Sequence, residues 1–137
     1  MPHDWFHANM YEQMSESLIR VQDIYMLPAD KFFFVVSEYN GSIPGSLKLF
    51  LDAISVREIK ATFKNKKAAM VGIASGRAGN LRGMDHLTAV LHHLGTIVMP
   101  AQIPISKIHG LLDDNMEIID VDTIAVIEQQ VTEFLAF

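Results

Sequence analysis

The sequence has 137 residues, half of them apolar and 20% charged, which is the composition of a soluble globular protein of one domain spanning residues 1–137. The net charge is −5 and Lys and Arg form no cluster, which argues against nucleic acid and anionic membranes as partners. The absence of cysteine excludes disulfides and zinc–thiolate sites and fits a cytoplasmic location, and no apolar run approaches the roughly 20 residues that span a bilayer.

The first predicted elements are a helix and a strand that follow an irregular start at residues 1–9. Apolar residues at helical spacing predict a helix over Met10–Met26, which Pro28 terminates. The residues that define this helix are Met10, Met14, Leu18, Val21 and Tyr25. An unbroken apolar row then predicts a strand at Lys31–Val36. Because a strand with one wet face alternates polar and apolar residues, we expect both faces of this strand to be covered.

The rest of the chain alternates between helix and strand. The predicted elements are a helix at Ser46–Ile54, a strand at Ala68–Ile73, a helix at Leu81–Leu94 closed by Gly95, a strand at Thr96–Met99, a mostly loop-like stretch to about Asp120, and a helix capped by Asp122 and ending near Leu135. The residues predicted to face inward are Leu47, Phe50, Leu51 and Ile54 in the first of these helices, Leu87, Val90, Leu91 and Leu94 in the second, and Ile124, Ile127, Val131 and Leu135 in the third.

This order predicts an α/β fold with a parallel sheet, in which right-handed crossovers place helices on the sheet faces. Ligands of open parallel sheets bind beyond the carboxyl ends of the strands. Two segments rich in Gly, Ser and Asn occupy those ends, Ser37–Gly45 and Ala74–Asn80. The sequence therefore predicts a binding site where these two segments meet.

The segment after the first strand has two interpretations. Asn40-Gly41 is a common signal of a tight turn. Alternatively, the segment is a strand-to-helix loop whose backbone faces a planar ligand, with Tyr39 offering a ring for stacking and Asn40 an amide that donates and accepts hydrogen bonds. Composition alone leaves both interpretations open.

Two longer motifs resemble a known family. EYNGSIPGSLKLFLDAIS, from Glu38 to Ser55, is similar to the signature of the NADPH-dependent FMN reductases, whose relatives reduce azo compounds, chromate and quinones. VGIASGRAGNLRGMDHL, from Val71 to Leu87, resembles the next strand, loop and helix of that family. The spacing of the motifs also matches, and the resemblance runs from about Trp5 to the C-terminus.

The resemblance implies a flavodoxin-like fold with FMN at the carboxyl edge of the sheet. It also implies hydride transfer from NAD(P)H to FMN and on to a quinone, azo compound or other small-molecule electron acceptor. It assigns cofactor binding to Ser37, Glu38, Tyr39, Asn40 and Gly41 in the first loop and to Ser75, Gly76, Arg77 and Gly79 in the second. The flavin performs the chemistry, so no catalytic side chain is expected. Members of the family usually form dimers, and the resemblance therefore implies a homodimer or homotetramer here.

The sequence departs from the family pattern in two places. Ser37 stands where the family usually has Pro, which adds a backbone donor. The family's first strand, phosphate-binding loop, first helix and second strand have no counterpart, so Phe32–Val36 is expected to form a sheet edge. An apolar edge invites pairing. We therefore expect either that a partner pairs with it or that residues upstream of Met1 belong to the natural protein.

Other residues carry weaker signals. Arg77 and Arg82 are either solvated charges or contacts to the NADPH phosphates. His86 and His93 lie two helical turns apart, too far to share one ion, so no metal site is expected. The alternative function is a non-enzymatic remnant of the fold that binds no flavin and assembles through its strand edge. A regulatory domain ranks below both because no acidic metal cluster follows the strands.

Overall fold

A computed structural model describes residues 3–7 and 9–137 of the chain. The described strands are β1 Lys31–Ser37, β2 Lys67–Ile73, β3 Ile97–Val98 and β4 Ile103–Ile105. The α-helices are α1 Glu16–Val21, α2 Gly45–Ile54, α3 Ile59–Phe63, α4 Leu81–His93 and α5 Val121–Ala136. A π-helical turn, Gln22–Met26, extends α1, and short 3₁₀ helices occupy His3–Trp5 and Ile108–Gly110. Met1, Pro2 and Ala8, part of the predicted irregular start, lie outside the described residues.

The strands form one parallel sheet with β2 at its centre. β1 pairs with β2 without interruption from Lys31↔Lys67 to Ser37↔Ile73. β3 and then β4 pair with the other side of β2, which confirms the predicted parallel α/β architecture. Among the described residues, β1 has no strand neighbour other than β2, so it is an edge strand as expected.

Helices cover the two faces of the sheet unequally. On one face, α1, α2, α3 and α4 enclose the larger core together with β1 and β2; its fully buried members include Leu18, Leu51, Ile54, Phe63, Met70, Met84, Leu87 and Leu91. These positions confirm the inward faces predicted for α2 and α4. On the opposite face, α5 packs Phe134 against Ala69 and Met99. No helix in the described part of the chain has the length and apolar character needed to cross a membrane.

The two apolar rows of the sheet differ in burial. Residues 68–72 of β2 are buried, as predicted. For β1 the prediction of two covered faces is wrong, because Phe33 is 39% exposed and Val35 is 65% exposed. The reason is the position of α5, which reaches the Phe33 ring through Phe134, with the ring centroids 6.0 Å apart, and leaves Val35 uncovered.

The predicted helix Met10–Met26 begins too early. α1 starts at Glu16, because the Ser15 side chain accepts a hydrogen bond from the Leu18 N–H and caps the helix. The predicted apolar stripe also fails at its end, where Tyr25 is 69% exposed. The inward position is taken instead by Gln22, whose amide donates to Ile54 O, Arg57 O and Thr62 Oγ1.

Two corrections concern the last third of the chain. The predicted loop up to Asp120 contains β4, which the sequence conceals because Pro104 lies inside the strand and proline opposes strand formation. α5 is capped by Asp120, not Asp122. Its inward positions are Gln130 and Phe134, whereas the predicted Val131 and Leu135 are 39% and 72% exposed. Gln130 faces the sheet, where its amide donates to Met70 O and Ala101 O.

Candidate functional site

Two loops lie side by side at the carboxyl ends of β1 and β2: the first loop, residues 38–44, and the second loop, residues 74–80. Ser37 and Ile73 are the last paired residues of the two strands. The Glu38 N–H then donates to Ile73 O at 2.7 Å, so hydrogen bonding between the strands continues into the loops. Tyr39 and Ser75 therefore leave the sheet at the same edge, two residues beyond a paired position.

The first loop contains a tight turn. Tyr39 and Ser42 exchange two backbone hydrogen bonds, of 3.0 and 2.9 Å. Asn40 and Gly41 between them have φ values of 50° and 74°, the combination of a type I′ turn. Both interpretations of this segment are thus correct in part, because a hairpin-type turn sits inside a strand-to-helix loop. The turn leaves Tyr39 62% exposed beyond the sheet edge.

Two side chains of α4 hold this turn in place. Ser42 Oγ and His86 Nδ1 form a hydrogen bond of 2.7 Å. The Arg82 guanidinium lies against Gly41, where an added Cβ would be 3.0 Å from its Nη2 atom. Arg82 and His86 are one helical turn apart and so share a helix face. The contact of Arg82 and His86 with the first loop was not predicted from the sequence. The signal for this contact is the four-residue spacing of these two polar side chains in the helix that follows the second loop.

Asn80 connects the base of both loops. Its side chain is 1% exposed and donates through Nδ2 to Val36 O at 3.0 Å, joining the start of α4 to the end of β1. Gly83 makes room for this amide, because a Cβ at that position would collide with Asn80 Oδ1. Within the described residues Asn80 Oδ1 has no hydrogen-bond partner. The orientation of the amide is nevertheless fixed, because only Nδ2 can donate to a carbonyl.

The second loop is held from its other side by residues 105–108. The Ala74 N–H donates to Ile105 O at 3.0 Å, and the Lys107 N–H donates to Gly76 O at 3.0 Å. The Ser106 hydroxyl donates to Arg77 O at 2.6 Å. Two of these contacts use loop carbonyl groups and one uses the Ala74 N–H, so none of them occupies the N–H groups of residues 75–77.

The outer surface of the second loop presents backbone donors. Ser75, Gly76 and Arg77 are exposed, and within the described residues their N–H groups donate no hydrogen bond. An added Cβ at Gly76 would meet nothing within 4 Å, so open space lies above it. Such donors beside an exposed aromatic ring suit a planar ligand that carries acceptor atoms on its rim.

The structure distributes the predicted site residues unevenly. Eight of them lie on or next to the two loops at the same sheet edge: Ser37, Glu38, Tyr39, Asn40, Gly41, Ser75, Gly76 and Arg77. Gly79 differs because it is buried, with φ 55°, and an added Cβ would be 2.6 Å from the Pro104 side chain. The structure thus gives Gly79 a packing role beneath the loop. Within the described residues, no three His, Asp or Glu side chains converge as in a metal site.

A cleft of about 380 Å³ adjoins the first loop between α2 and α4. Its walls are Ser42, Ile43, Lys48, His86, Ala89 and Val90. The volume lies within the range of small-molecule sites, and its mixture of apolar walls with a few polar groups is typical of them.

A parallel α/β sheet with paired loops at its carboxyl edge is the arrangement of doubly wound α/β proteins, which include the flavodoxin-like class. A solved structure shares this fold with a TM-score of 0.77, that of FerB, a flavoenzyme NAD(P)H:(acceptor) oxidoreductase from Paracoccus denitrificans. The superposition covers 99% of the present chain and 74% of FerB at 24% sequence identity. The predicted fold class is therefore confirmed.

The sequence profile of the NADPH-dependent FMN reductases matches residues 21–110, and the chain belongs to this family. An NAD(P)H-dependent FMN reductase of Pseudomonas aeruginosa is 32% identical over 103 residues, which cover 74% of the chain and 55% of that protein. A 2-hydroxy-1,4-benzoquinone reductase of a Burkholderia species is 31% identical over 96 residues, which cover 69% of the chain and 52% of that protein. The chain thus spans about half the length of these two relatives.

Proposed function

We propose that the two loops hold the isoalloxazine ring of FMN and that the chain acts as an NAD(P)H-dependent FMN oxidoreductase. The observation that carries this proposal is the second loop, where the backbone N–H groups of three exposed residues have no acceptor among the described residues and open space lies above Gly76. A flavin ring has carbonyl oxygens and ring nitrogens on one edge, and these acceptors match such donors. Membership of the FMN reductase family supports the same assignment.

The residues present fit this cofactor. Ser75, Gly76 and Arg77 would donate backbone hydrogen bonds to the ring edge, and the turn at Asn40-Gly41 would border the ring beside Tyr39. When bound, FMN supplies the hydride and electron chemistry between the nicotinamide and the acceptor. The chain itself binds and orients the ring, and the contacts from α4 keep the turn rigid while it does so.

We further propose a quinone as the electron acceptor and NADPH as the hydride donor. The quinone is suggested by the name of the Burkholderia relative. Arg77 is the candidate for a nicotinamide-cofactor phosphate, because it is an exposed residue of the second loop, whereas the Arg82 guanidinium is already packed on Gly41. The homodimer or homotetramer and the cytoplasmic location remain predictions.

The sharpest test of the site is Gly76→Leu, with FMN binding followed by flavin fluorescence and absorbance. We expect the fold to stay intact because an added Cβ meets no atom within 4 Å, whereas the larger side chain should enter the space proposed for the ring. We expect FMN affinity to fall by at least about tenfold, the equivalent of about 1.4 kcal/mol. Gly110→Leu is the matched control, because Gly110 is also exposed with nothing near its Cβ position.

Equal FMN affinity in Gly76→Leu and the unsubstituted chain would refute the assignment of the second loop. A folded chain that binds no FMN at all, even at high concentration, would favour the alternative function, a remnant of the fold without flavin. NADPH oxidation in the presence of a quinone tests the activity separately from binding.

A further inference from the structure

The cleft at the first loop adjoins a second, larger cleft between the same two helices, α2 and α4. The second cleft has a volume of about 470 Å³ and reaches towards α3, where Ile59 lines it. Lys48, Ala89 and Val90 line both clefts, so the two are neighbours along the helices. We call the two clefts together the α2–α4 groove.

The floor of the α2–α4 groove is apolar. Ile43 and Leu51 are buried there, and Val90 and Leu94 are half-buried beside them. The polar residues that line the groove are Ser42, Lys48, Asp52, Ser55, His86 and His93. Lys48 and Asp52 form an ion pair with Nζ and Oδ1 2.7 Å apart. Because each of these charges already has its partner, an uncharged ligand can lie between the helices without separating a charge from its counterion.

The groove runs away from the first loop along α4. It begins beside His86, which bonds Ser42 of the first loop, and reaches Leu94 just after the end of the helix. The chain advances about 12 Å between these two positions. A planar ring would fill only part of such a groove. A flexible hydrocarbon chain follows its length and buries apolar surface throughout.

We propose that the α2–α4 groove binds the hydrocarbon tail of a lipophilic quinone whose ring stands at the two loops. This inference rests on the proposed function, in which a quinone accepts electrons at the loops. Ser42 and Ile43 belong both to the first loop and to the wall of the groove, so a tail attached to that ring enters the groove directly. Each methylene group that the groove removes from water raises the affinity about fourfold.

A second copy of the chain is a less suitable occupant of the groove. Protein interfaces of standard size bury about 800 Å² on each partner, and their centres are depleted in charged residues. The α2–α4 groove is concave and has the Lys48–Asp52 pair on its wall. The volume of each of its clefts lies in the range of small-molecule sites.

The test is the equilibrium binding of two quinones to the full chain, measured by calorimetry with and without FMN and in the absence of NADPH. The two probes share one fully substituted 1,4-benzoquinone ring and differ in a single substituent, which is either a methyl group or a hexyl tail. We expect the tailed quinone to bind at least about tenfold more tightly, because its additional methylene groups are buried in the groove.

Ala89→Glu should remove most of this advantage, because it places a charge on the wall that both clefts share. Ala89 is exposed, so the substitution is compatible with the fold, and circular dichroism checks this. Ala125→Glu is the matched control, because Ala125 is an exposed alanine of α5 and lies outside the groove. It should leave the advantage of the tail unchanged.

The proposal is overturned if the two quinones bind equally, or if Ala125→Glu reduces the advantage of the tail as much as Ala89→Glu does. It is also overturned if light scattering shows a dimer that Ala89→Glu separates and that the tailed quinone does not affect.

Quinone reduction by NADPH is measured separately, so that the two proposals can fail independently. Tail-dependent binding without reduction would support the tail site and refute the proposed function. Reduction of both quinones at equal affinity would refute the tail site and leave the proposed function standing.

Discussion

Ser42 and His86 are joined by a hydrogen bond of 2.7 Å between Oγ and Nδ1, which ties the first loop to the second turn of α4. Arg82, one helical turn earlier, covers Gly41 on the same loop. Since α4 begins directly after the second loop, this one helix is connected to both loops. The affinity for a planar ligand between the loops would then depend on the contacts of Arg82 and His86 with the first loop, although neither side chain is assigned to the ligand.

We expect His86→Ala to lower FMN affinity by about two- to tenfold, corresponding to a net hydrogen-bond contribution of about 0.5–1.5 kcal/mol. Loss of the Ser42–His86 bond frees the turn without removing any group assigned to the ring. Ser42→Ala should have a similar effect, and the double variant should add little further, because both changes remove one interaction. Fluorescence titration with FMN measures the affinities.

His92→Ala is the control for this prediction, because His92 is an exposed histidine of the same helix. Additive losses in Ser42→Ala and His86→Ala would show that the two side chains act separately, contrary to the expectation.

Asn80→Ala should destabilise the fold by about 0.5–1.5 kcal/mol, because it removes the buried hydrogen bond to Val36 O. The φ of 62° at this position adds strain, because alanine tolerates the left-handed region less well than asparagine. Urea denaturation followed by circular dichroism gives the free energy of unfolding. Asn115→Ala, at an exposed turn, should change it by less than about 0.5 kcal/mol. Equal effects of the two substitutions would contradict the proposed role of Asn80.

Gly83→Ala and Gly45→Ala should change stability in opposite directions, although both glycines lie in α-helices. At Gly83 the new Cβ collides with the Asn80 amide, which its bond to Val36 O holds in place, so we expect a loss of about 1–3 kcal/mol. At Gly45 nothing lies within 4 Å of the new Cβ, and alanine reduces the entropy of the unfolded chain, so a gain of about 0.4–1 kcal/mol is expected. Thermal unfolding distinguishes the two effects. A Gly83→Ala variant as stable as the unsubstituted chain would contradict the predicted collision with the Asn80 amide.

The Asp120 cap of α5 should contribute to stability at neutral pH and lose that contribution at acidic pH. Hydrogen bonds from the side chain and the backbone N–H of Thr123 hold the pKa of Asp120 below its ordinary value. A lowered pKa means that the folded state favours the carboxylate, so this contribution is present above the unfolded-state pKa and is lost as the pH falls through the folded-state pKa. Between about pH 5 and pH 2, the Tm of Asp120→Asn should therefore fall less than the Tm of the unsubstituted chain.

Asp122→Asn is the control for this acid dependence, because Asp122 lies in the first turn of α5 but does not cap it. A Tm that falls equally steeply in Asp120→Asn and in the unsubstituted chain would contradict the assignment of the cap.

The sequence was most informative where local pattern and tertiary packing agree. The apolar row of β2 and the inward faces of α2 and α4 were predicted correctly, because in each element the residues that form the apolar pattern are also those that the fold buries. The start of α1 was wrong because a serine cap outweighed the apolar spacing before it. β4 was missed because a three-residue strand that contains Pro104 has no pattern of its own and exists only through pairing with β2.

The two loops were recognised from their residues, but the contacts that hold them were not. Asn40-Gly41 predicts a turn by its chemistry alone. The partners of that turn, His86 and Arg82, lie about forty residues away, and only the fold brings them to it. The same is true of residues 105–108, which hold the second loop from the side.

By itself, the sequence determined the family, the parallel α/β class and the two segments that meet at the edge of the sheet. The signals for these features are the periodicity of apolar residues, the residue types in turns and the spacing of motifs, and all of them depend on residues close together in the chain. The tertiary structure alone decided which apolar residues are covered. Phe33, Val35, Val131 and Leu135 have the pattern of core residues, yet they are exposed because burial depends on what packs above a surface, and α5 lies over β2 and β4 and leaves β1 open.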